Sequence, residues 1–391
     1  MDNLISGFLV SFIVTYVSIP VIIKIARIKK LVDIPDSRKI HKAPIPSLGG
    51  FGIFAGFVLA LLVSVPFASA AGLQYFVAAA FILYLVGLKD DVIIITPLKK
   101  LLGQLAAAFI IVQKAGIRIE SFHGILGVNE LPYAVSLFLT YFAIILIVNA
   151  FNLIDGVDGL AGTLGIVSSL LFGIYFYFAH ETLYAVMGLS LVGALSSFLL
   201  FNYTPAKIFM GDTGSMLIGL VNAVLVIHFI KIADAPGAAL PVVSAPVIGC
   251  AILCVPLFDT LRVFTIRIFL HRRSPFSPDR NHIHHLLLDC GFSHSMTTLC
   301  LAGYNLGVIM LAFALRDVGN HALLFGLVIA NLSFIGLITY FRQPRRLFVI
   351  MKNVPVGQSM PKLAEPAPIP FKAKKKPVVT PVQPVFSLEE E

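Results

Sequence analysis

Residues 134–162 read AVSLFLTYFAIILIVNAFNLIDGVDGLAG, an apolar run that ends in two Asp-Gly steps. No charged residue falls between Ala134 and Ile154. A helix crossing about 30 Å of hydrocarbon needs about 20 such residues. A spanning segment must also satisfy its own backbone polar groups, so the run predicts a transmembrane helix. Similar runs predict spans at roughly 4–28, 48–66, 73–88, 100–115, 134–151, 162–179, 183–201, 214–232, 242–268, 297–315 and 322–341. A membrane barrel would need short alternating strands instead. Composition points the same way. The 391 residues are 58% hydrophobic and 13% charged, with a mean hydropathy of +0.93, whereas soluble domains carry about 25% charged residues. An ordinary soluble enzyme, a disordered chain and a nucleic-acid binder are excluded. The expected fold is all-α and polytopic, a bundle of about 11 transmembrane helices.

Charge sets the orientation. An odd number of spans puts the two ends of the chain on opposite sides. Sorted by this map, only Lys114, Arg118, Lys231 and Arg316 fall in one family of loops, and every other Lys and Arg falls in the other. Cytoplasmic loops collect Lys and Arg, so the basic family is read as cytoplasmic, with the N-terminus outside and the C-terminus inside. The net charge of +9 is then topological. The first apolar run lacks a small-residue cleavage site and is expected to stay as an anchor. The four cysteines form no CxxC pair and read as reduced and structural. Segment 116–133 alternates briefly and suggests a small outside hairpin. Two domains follow: a transmembrane catalytic domain over 1–342 and a Pro/Lys-rich cytoplasmic tail over 343–391, whose composition cannot build a core and predicts disorder.

The informative polar residues gather at inner span ends. Charge near a membrane is costly, so clustered acids there are functional candidates. Asp90 and Asp91 are adjacent carboxylates whose repulsion a metal or a cationic ligand best relieves. Asn152, Asp155 and Asp158 follow the 134–151 span, where two Asp-Gly turns bend the chain sharply. Hard oxygens of this kind suit Mg²⁺, which keeps waters and shares substrate phosphates. FNYTPAKIFMGDTGS (201–215) places Asp212 at the start of a helix and adds Lys207 as a cation. RRSPFSPDRNHIHH (272–285) brings Arg280 beside His282, His284 and His285. Arginine binds phosphate oxygens in a bidentate fashion, which fits this stretch better than a zinc site, since no nearby acid or Cys completes one. A plain cytoplasmic turn is the other reading. DIPDSRKIHKAPIPSLGG (33–50) offers a second basic wall in Arg38, Lys39 and His41, or simply loop charge of the positive-inside kind.

Taken in order, DIPDSRKIHKAPIPSLGG, GLKDDV, NAFNLIDGVDGLAGT, FNYTPAKIFMGDTGS and SPFSPDRNHIHH resemble the polyprenyl-phosphate N-acetylhexosamine-1-phosphate transferases. His-Ile-His-His after Ser-Pro-Phe-Ser-Pro-Asp-Arg is similar to the branch that uses UDP-N-acetylglucosamine, although Arg272-Arg273 stands where a Lys-Gly-like pair is expected. The resemblance implies a cytoplasmic-face active site in a bacterial inner (cytoplasmic) membrane. The implied reaction is UDP-N-acetylhexosamine plus undecaprenyl phosphate giving undecaprenyl-diphosphate-N-acetylhexosamine and UMP, an opening step of cell-envelope polysaccharide synthesis. It implies Mg²⁺, with Mn²⁺ as a substitute, held first by Asp212 and Asn152 with Asp155 close by. It makes Asp90 and Asp91 the essential acidic pair and gives Lys100 a phosphate contact. Asp158 would contact uridine, and Arg280, His282, His284 and His285 would hold the donor pyrophosphate. Homodimers are common among such relatives. The alternatives are the muramoyl-pentapeptide branch, a transporter, for which the acids sit too near the loop junctions, and a prenyl-diphosphate enzyme, which Ile94 disfavours by standing where a further acid is expected.

Overall fold

The computed structural model describes residues 1–31, 44–233, 237–272, 274 and 281–342. Arg38, Lys39, His41, Arg280 and the 343–391 tail lie outside the described residues. The described chain is helical throughout. In order it forms α1 (Asp2–Ile28), α2 (Gly49–Ser64), α3 (Leu73–Val92), α4 (Pro97–Phe109), α5 (Tyr133–Ile154), α6 (Leu160–Phe178), α7 (Thr182–Asn202) and α8 (Gly211–Ala233). Then come α9 (Ala245–Ile252), α10 (Cys254–Thr265), α11 (Ile283–Asp289), α12 (His294–Ala314) and α13 (Asn320–Phe341). Ser121 and Glu130 form an isolated β bridge. It closes the 116–133 segment, with Phe122 N donating to Asn129 O at 2.8 Å and Leu131 N to Glu120 O at 2.9 Å.

Among the described residues seven helices are long and apolar enough to cross a membrane, and eight if α9 and α10 count as one broken span. The sequence predicted eleven. The difference lies in α2, only 16 residues long, in α3, whose last turn is charged, and in α4. The last is a 13-residue α-helix that runs on as a π turn, Ile110–Lys114. Burial separates the centre from the rim. In α7 and α8, 78% of the apolar window is buried, against 17% in α1 and α13. Rim helices expose large apolar side chains such as Ile13, Val17, Phe325 and Leu332. A lipid-facing surface requires this and a water-facing one penalises it.

The predicted span 242–268 is not one straight helix. α9 and α10 meet at an 84° bend. Pro256 stands just past the break, and a proline ring clashes with the carbonyl four residues back, here that of Ile252. Asn305 of α12 takes up the freed groups. Its Nδ2 donates to Ile252 O and its Oδ1 accepts from Val255 N, both at 3.1 Å. The bend carries the far half of α10, which continues as a π turn over Ile266–Leu270, to the bundle end where α3, α4, α5 and α8 present their polar residues.

Candidate active site

α8 anchors the site because its first turn is clamped from two sides. Gly49 N donates to Phe209 O at 2.9 Å and Gly50 N to Met210 O at 2.7 Å, fixing the entry to α8 against the start of α2. On the other side α3 lies so close that a Cβ on Gly87 would stand 2.6 Å from Thr213 N. One turn later Asp91 reaches the same helix start. Its Oδ1 accepts from Asp212 N at 2.6 Å, and its Oδ2 accepts from Thr213 N at 3.1 Å and from Thr213 Oγ1 at 2.6 Å. Amides at a helix start are otherwise unsatisfied and carry partial positive charge. Asp91, one of the essential acidic pair that the resemblance implies, thus has both its oxygens held by the helix that carries Asp212, in the place of a cap.

Asp90 turns the other way. Its Oδ1 accepts from Ile95 N at 2.8 Å and its Oδ2 lies 3.3 Å from Lys100 Nζ. Lys100, in the first turn of α4, also donates to Asn152 Oδ1 at 3.1 Å and to Asp212 Oδ2. Asn152, in the last turn of α5, donates to Asp212 Oδ1 at 2.7 Å and to Ser215 Oγ at 3.0 Å. Three oxygen acceptors from α3, α5 and α8 thus meet on one ammonium. Burial pushes the Asp91 carboxyl up to about 6 against the pull of its hydrogen bonds. Burial also raises Asp90, and contact with Asp212 adds to this. Asp155, just past α5, is raised well above the usual range by burial and by the negative charges of Asp212, Asp91 and Asp158. Carboxyls gathered this closely repel one another, and a cation relieves the repulsion.

Asp90, Lys100, Asn152 and Asp155 line a cavity of about 420 Å³ together with Arg267, His282, His284 and His285. His282, at the start of α11, is held from both ring nitrogens. Nδ1 lies 2.8 Å from Asp259 Oδ2, and Nε2 lies 3.3 Å from Arg267 Nη2. His284 is 1% exposed, and its Nδ1 has no hydrogen-bond partner among the described residues. Burial, and then the charge of His285, lowers its pKa to about 3. A Cβ on Gly156 would stand 2.5 Å from His284 Nε2, so a glycine there is what lets the Asp-Gly loop and the histidine segment meet.

Four of the described candidates do not line this cavity: Asp212, which bonds to Lys100 and Asn152 of the lining, Asp91, Asp158 and Lys207. Asp158 faces Thr204 Oγ1 at 3.2 Å and His294 Nδ1 at 3.3 Å, beside the start of α12. Lys207 is exposed in the α7–α8 connection and does not line the cavity. Conversely, Asp259 and Arg267 were not singled out from sequence, because they fall inside a run read as a span. Ionisable residues within an apolar run were the signal that could have found them. Gln104 and Asn149 also line the cavity and bond to each other, at 2.9 and 3.3 Å.

Among the described residues no three of His, Cys, Asp and Glu converge as a metal-binding group. Two carboxylates and one amide oxygen do converge, on the Lys100 ammonium. That donor set suits a hard divalent ion that takes its other ligands from phosphates and water.

Residues 73–230 match the family described as glycosyl transferase family 4. The chain is 31% identical over 318 residues to a probable undecaprenyl-phosphate N-acetylglucosaminyl 1-phosphate transferase of Bacillus subtilis, covering 79% of this chain and 83% of that one. It is 32% identical over 277 residues to the undecaprenyl-phosphate alpha-N-acetylglucosaminyl 1-phosphate transferase of Escherichia coli K12, covering 69% and 72%. It is 33% identical over 334 residues to a decaprenyl-phosphate N-acetylglucosaminephosphotransferase of Mycolicibacterium smegmatis, covering 79% and 82%.

Proposed function

This chain belongs to glycosyl transferase family 4, and from that premise we propose that it transfers N-acetylglucosamine 1-phosphate from UDP-N-acetylglucosamine to undecaprenyl phosphate, releasing UMP. It is a multi-helix membrane enzyme of the glycosyl-1-phosphate transferase type. The observation that carries the reading is the meeting of Asp90, Lys100, Asn152 and Asp212 at one bundle end, beside a single cavity that three histidines and Arg267 also line.

The chemistry follows from charge. An oxygen of the lipid phosphate attacks the β-phosphorus of the UDP-sugar, the bond from that phosphorus to the bridging oxygen breaks, and UMP leaves. A phosphate monoester is largely dianionic at neutral pH, with its second pKa near ~6, so the attack needs no strong base. The difficulty is the gathering of several negative charges, and fixed cations at the reacting phosphates address it. Lys100 and Arg267 supply such charges, and both line the cavity. Asp212, Asn152 through its Oδ1, and Asp90 would hold Mg²⁺, or Mn²⁺ in its place. The ion would neutralise phosphate charge and orient the donor. Asp91 keeps Asp212 in place by capping α8.

We read the cavity end as cytoplasmic, in a bacterial inner membrane, with the N-terminus outside and the C-terminus inside. The basic loops cluster at that end, and the water-soluble donor has to reach it. Counting α2, α3, α4 with its π turn, and the bent α9–α10 pair as crossings gives the eleven spans that this orientation needs. Such an enzyme would begin the lipid-linked assembly of an envelope polysaccharide.

Purified full-length protein in detergent, offered UDP-N-acetylglucosamine, undecaprenyl phosphate and Mg²⁺, is expected to release UMP and form a diphosphate-linked lipid. Chelation is expected to stop the reaction and added Mg²⁺ to restore it. Turnover only with a UDP-muramoyl-pentapeptide donor, or no UMP from any UDP-N-acetylhexosamine, would overturn the reading.

A further inference from the structure

Asp259 lies on α10 with 2% of its surface exposed. Its carboxylate has more than one donor to satisfy. Oδ2 faces His282 Nδ1 at 2.8 Å, while Oδ1 accepts from Ile283 N and from Arg262 Nη2, both at 2.9 Å. Arg262 also donates to Asn281 O, pinning the chain just ahead of the histidine. Across the imidazole, Nε2 meets Arg267 Nη2 at 3.3 Å. A guanidinium only donates. Nε2 must therefore be the acceptor, and the ring proton sits on Nδ1, where Asp259 receives it. Asp259, His282 and Arg267 form a directed chain that ends at the cavity lining.

We propose that Asp259 is a positioning residue for the donor side of the transfer: acting through the His282 ring, it fixes where the Arg267 guanidinium stands in the cavity wall and so sets how tightly the UDP-sugar pyrophosphate is held. The proposal rests on the transferase reading. It also moves His282 from the phosphate contact suggested by its motif to an intermediate part, since both ring nitrogens are engaged by protein.

The carboxylate is needed, rather than any polar group of that shape. Both its oxygens accept. An asparagine has one acceptor, which the Ile283 amide and Arg262 would claim. Its NH₂ would then face Nδ1 and drive the ring proton to Nε2. That N–H would point at the guanidinium, donor against donor, and Arg267 would be displaced.

The test is steady-state UMP release by the full-length protein, with UDP-N-acetylglucosamine varied at saturating undecaprenyl phosphate and then the reverse. Asp259→Asn is expected to raise the donor KM by about 10–100-fold, the scale on which losing the partner that orients a metal-bound histidine acts, with little change in the KM for the lipid. Arg267→Gln is expected to do the same. Because the two act in series, the double variant should be no worse than Arg267→Gln alone. Asp259→Glu should recover part of the loss. His282→Asn, which can still donate to Asp259 but is too short to reach Arg267, should copy the donor defect and keeps the test open if Asp259→Asn fails to fold. Additive losses, a wild-type donor KM in Asp259→Asn, or equal losses for both substrates alongside a lowered unfolding midpoint would overturn the proposal. Binding of UDP-N-acetylglucosamine to protein without acceptor lipid separates the two readings. Absent UMP release by the parent protein with binding still weakened in both Asp259→Asn and Arg267→Gln would sink the transferase reading and leave the positioning role standing. Equal binding by parent and variants would sink the positioning role alone.

Discussion

The two sides of the cavity are built differently. The acidic side hangs from the ends of α3, α4, α5 and α8, and its charges answer one another: Lys100 bonds to Asp90, Asn152 and Asp212 together, and Asp91 caps the helix that carries Asp212. The histidine side hangs from a helix bent by 84° and a seven-residue helix, and it leaves the Nδ1 of the buried His284 without a hydrogen-bond partner among the described residues. A buried polar atom without a partner is costly. Holding such cost at one wall of a cavity suits a surface that meets a ligand, whereas the acidic side is organised around charge before any ligand arrives.

The sharpest break of this contrast is to neutralise the acidic side. Asp212→Asn and Asp90→Asn are each expected to lower UMP release by about 10³-fold or more, the scale of removing an electrostatic group that acts on the reacting charge. The proteins should still insert in the membrane and elute as the parent does on gel filtration. Near-parent turnover in either variant would remove that residue from the mechanism. Lys100→Met should cost about 100-fold in the same assay, since it removes the cation on which three oxygens meet and leaves Asp90 and Asp212 facing each other uncompensated.

The acidic side is also the legible one. Carboxylates at the ends of apolar runs are expensive enough to stand out, and Asp90, Asp155 and Asp212 are all readable that way, with Asn152 found beside them through its motif. Which member of Asp90-Asp91 faces the cavity is not readable. Neighbours on a helix point about 100° apart, and only the approach of α3 to α8 at Gly87 decides that Asp91 is the cap. The histidine side reads halfway. The His282, His284 and His285 cluster is plain in sequence, but Asp259 and Arg267 are hidden in a stretch apolar enough to pass as a span, and the bend that delivers them has Pro256 as its only local mark. The Asn305 bonds that stabilise the bend come from 50 residues downstream, a separation at which no periodicity speaks.

That bend gives the next test. Asn305→Ala would strand Ile252 O and Val255 N, two buried backbone groups. The expected loss of stability is about 2 kcal/mol, read as a lower thermal unfolding midpoint in detergent. If the histidine side depends on the bend as described, the KM for UDP-N-acetylglucosamine should rise while that for undecaprenyl phosphate holds. A shift of both together would mean that the two sides are not mechanically separate.

The effect expected from His284 appears only as the pH falls, and its sign can be worked out. The ring's pKa is lowered to about 3 in the fold, against about 6.5 in the unfolded chain. Between those values the unfolded chain binds the extra proton, so His284 favours the fold fully above pH 6.5 and progressively less as the pH falls toward 3. At pH 5 the loss amounts to about 2 kcal/mol. Asp91, raised to about 6, works in the opposite direction, since its preference for the protonated fold is lost as pH rises through that value. A bare pH profile therefore mixes the two sides of the cavity. The difference between parent and His284→Asn isolates the histidine: unfolding midpoints measured from pH 7.5 to 5 should fall more steeply in the parent. Parallel profiles would show that His284 takes up its proton in the folded protein and that the histidine side is open to water after all.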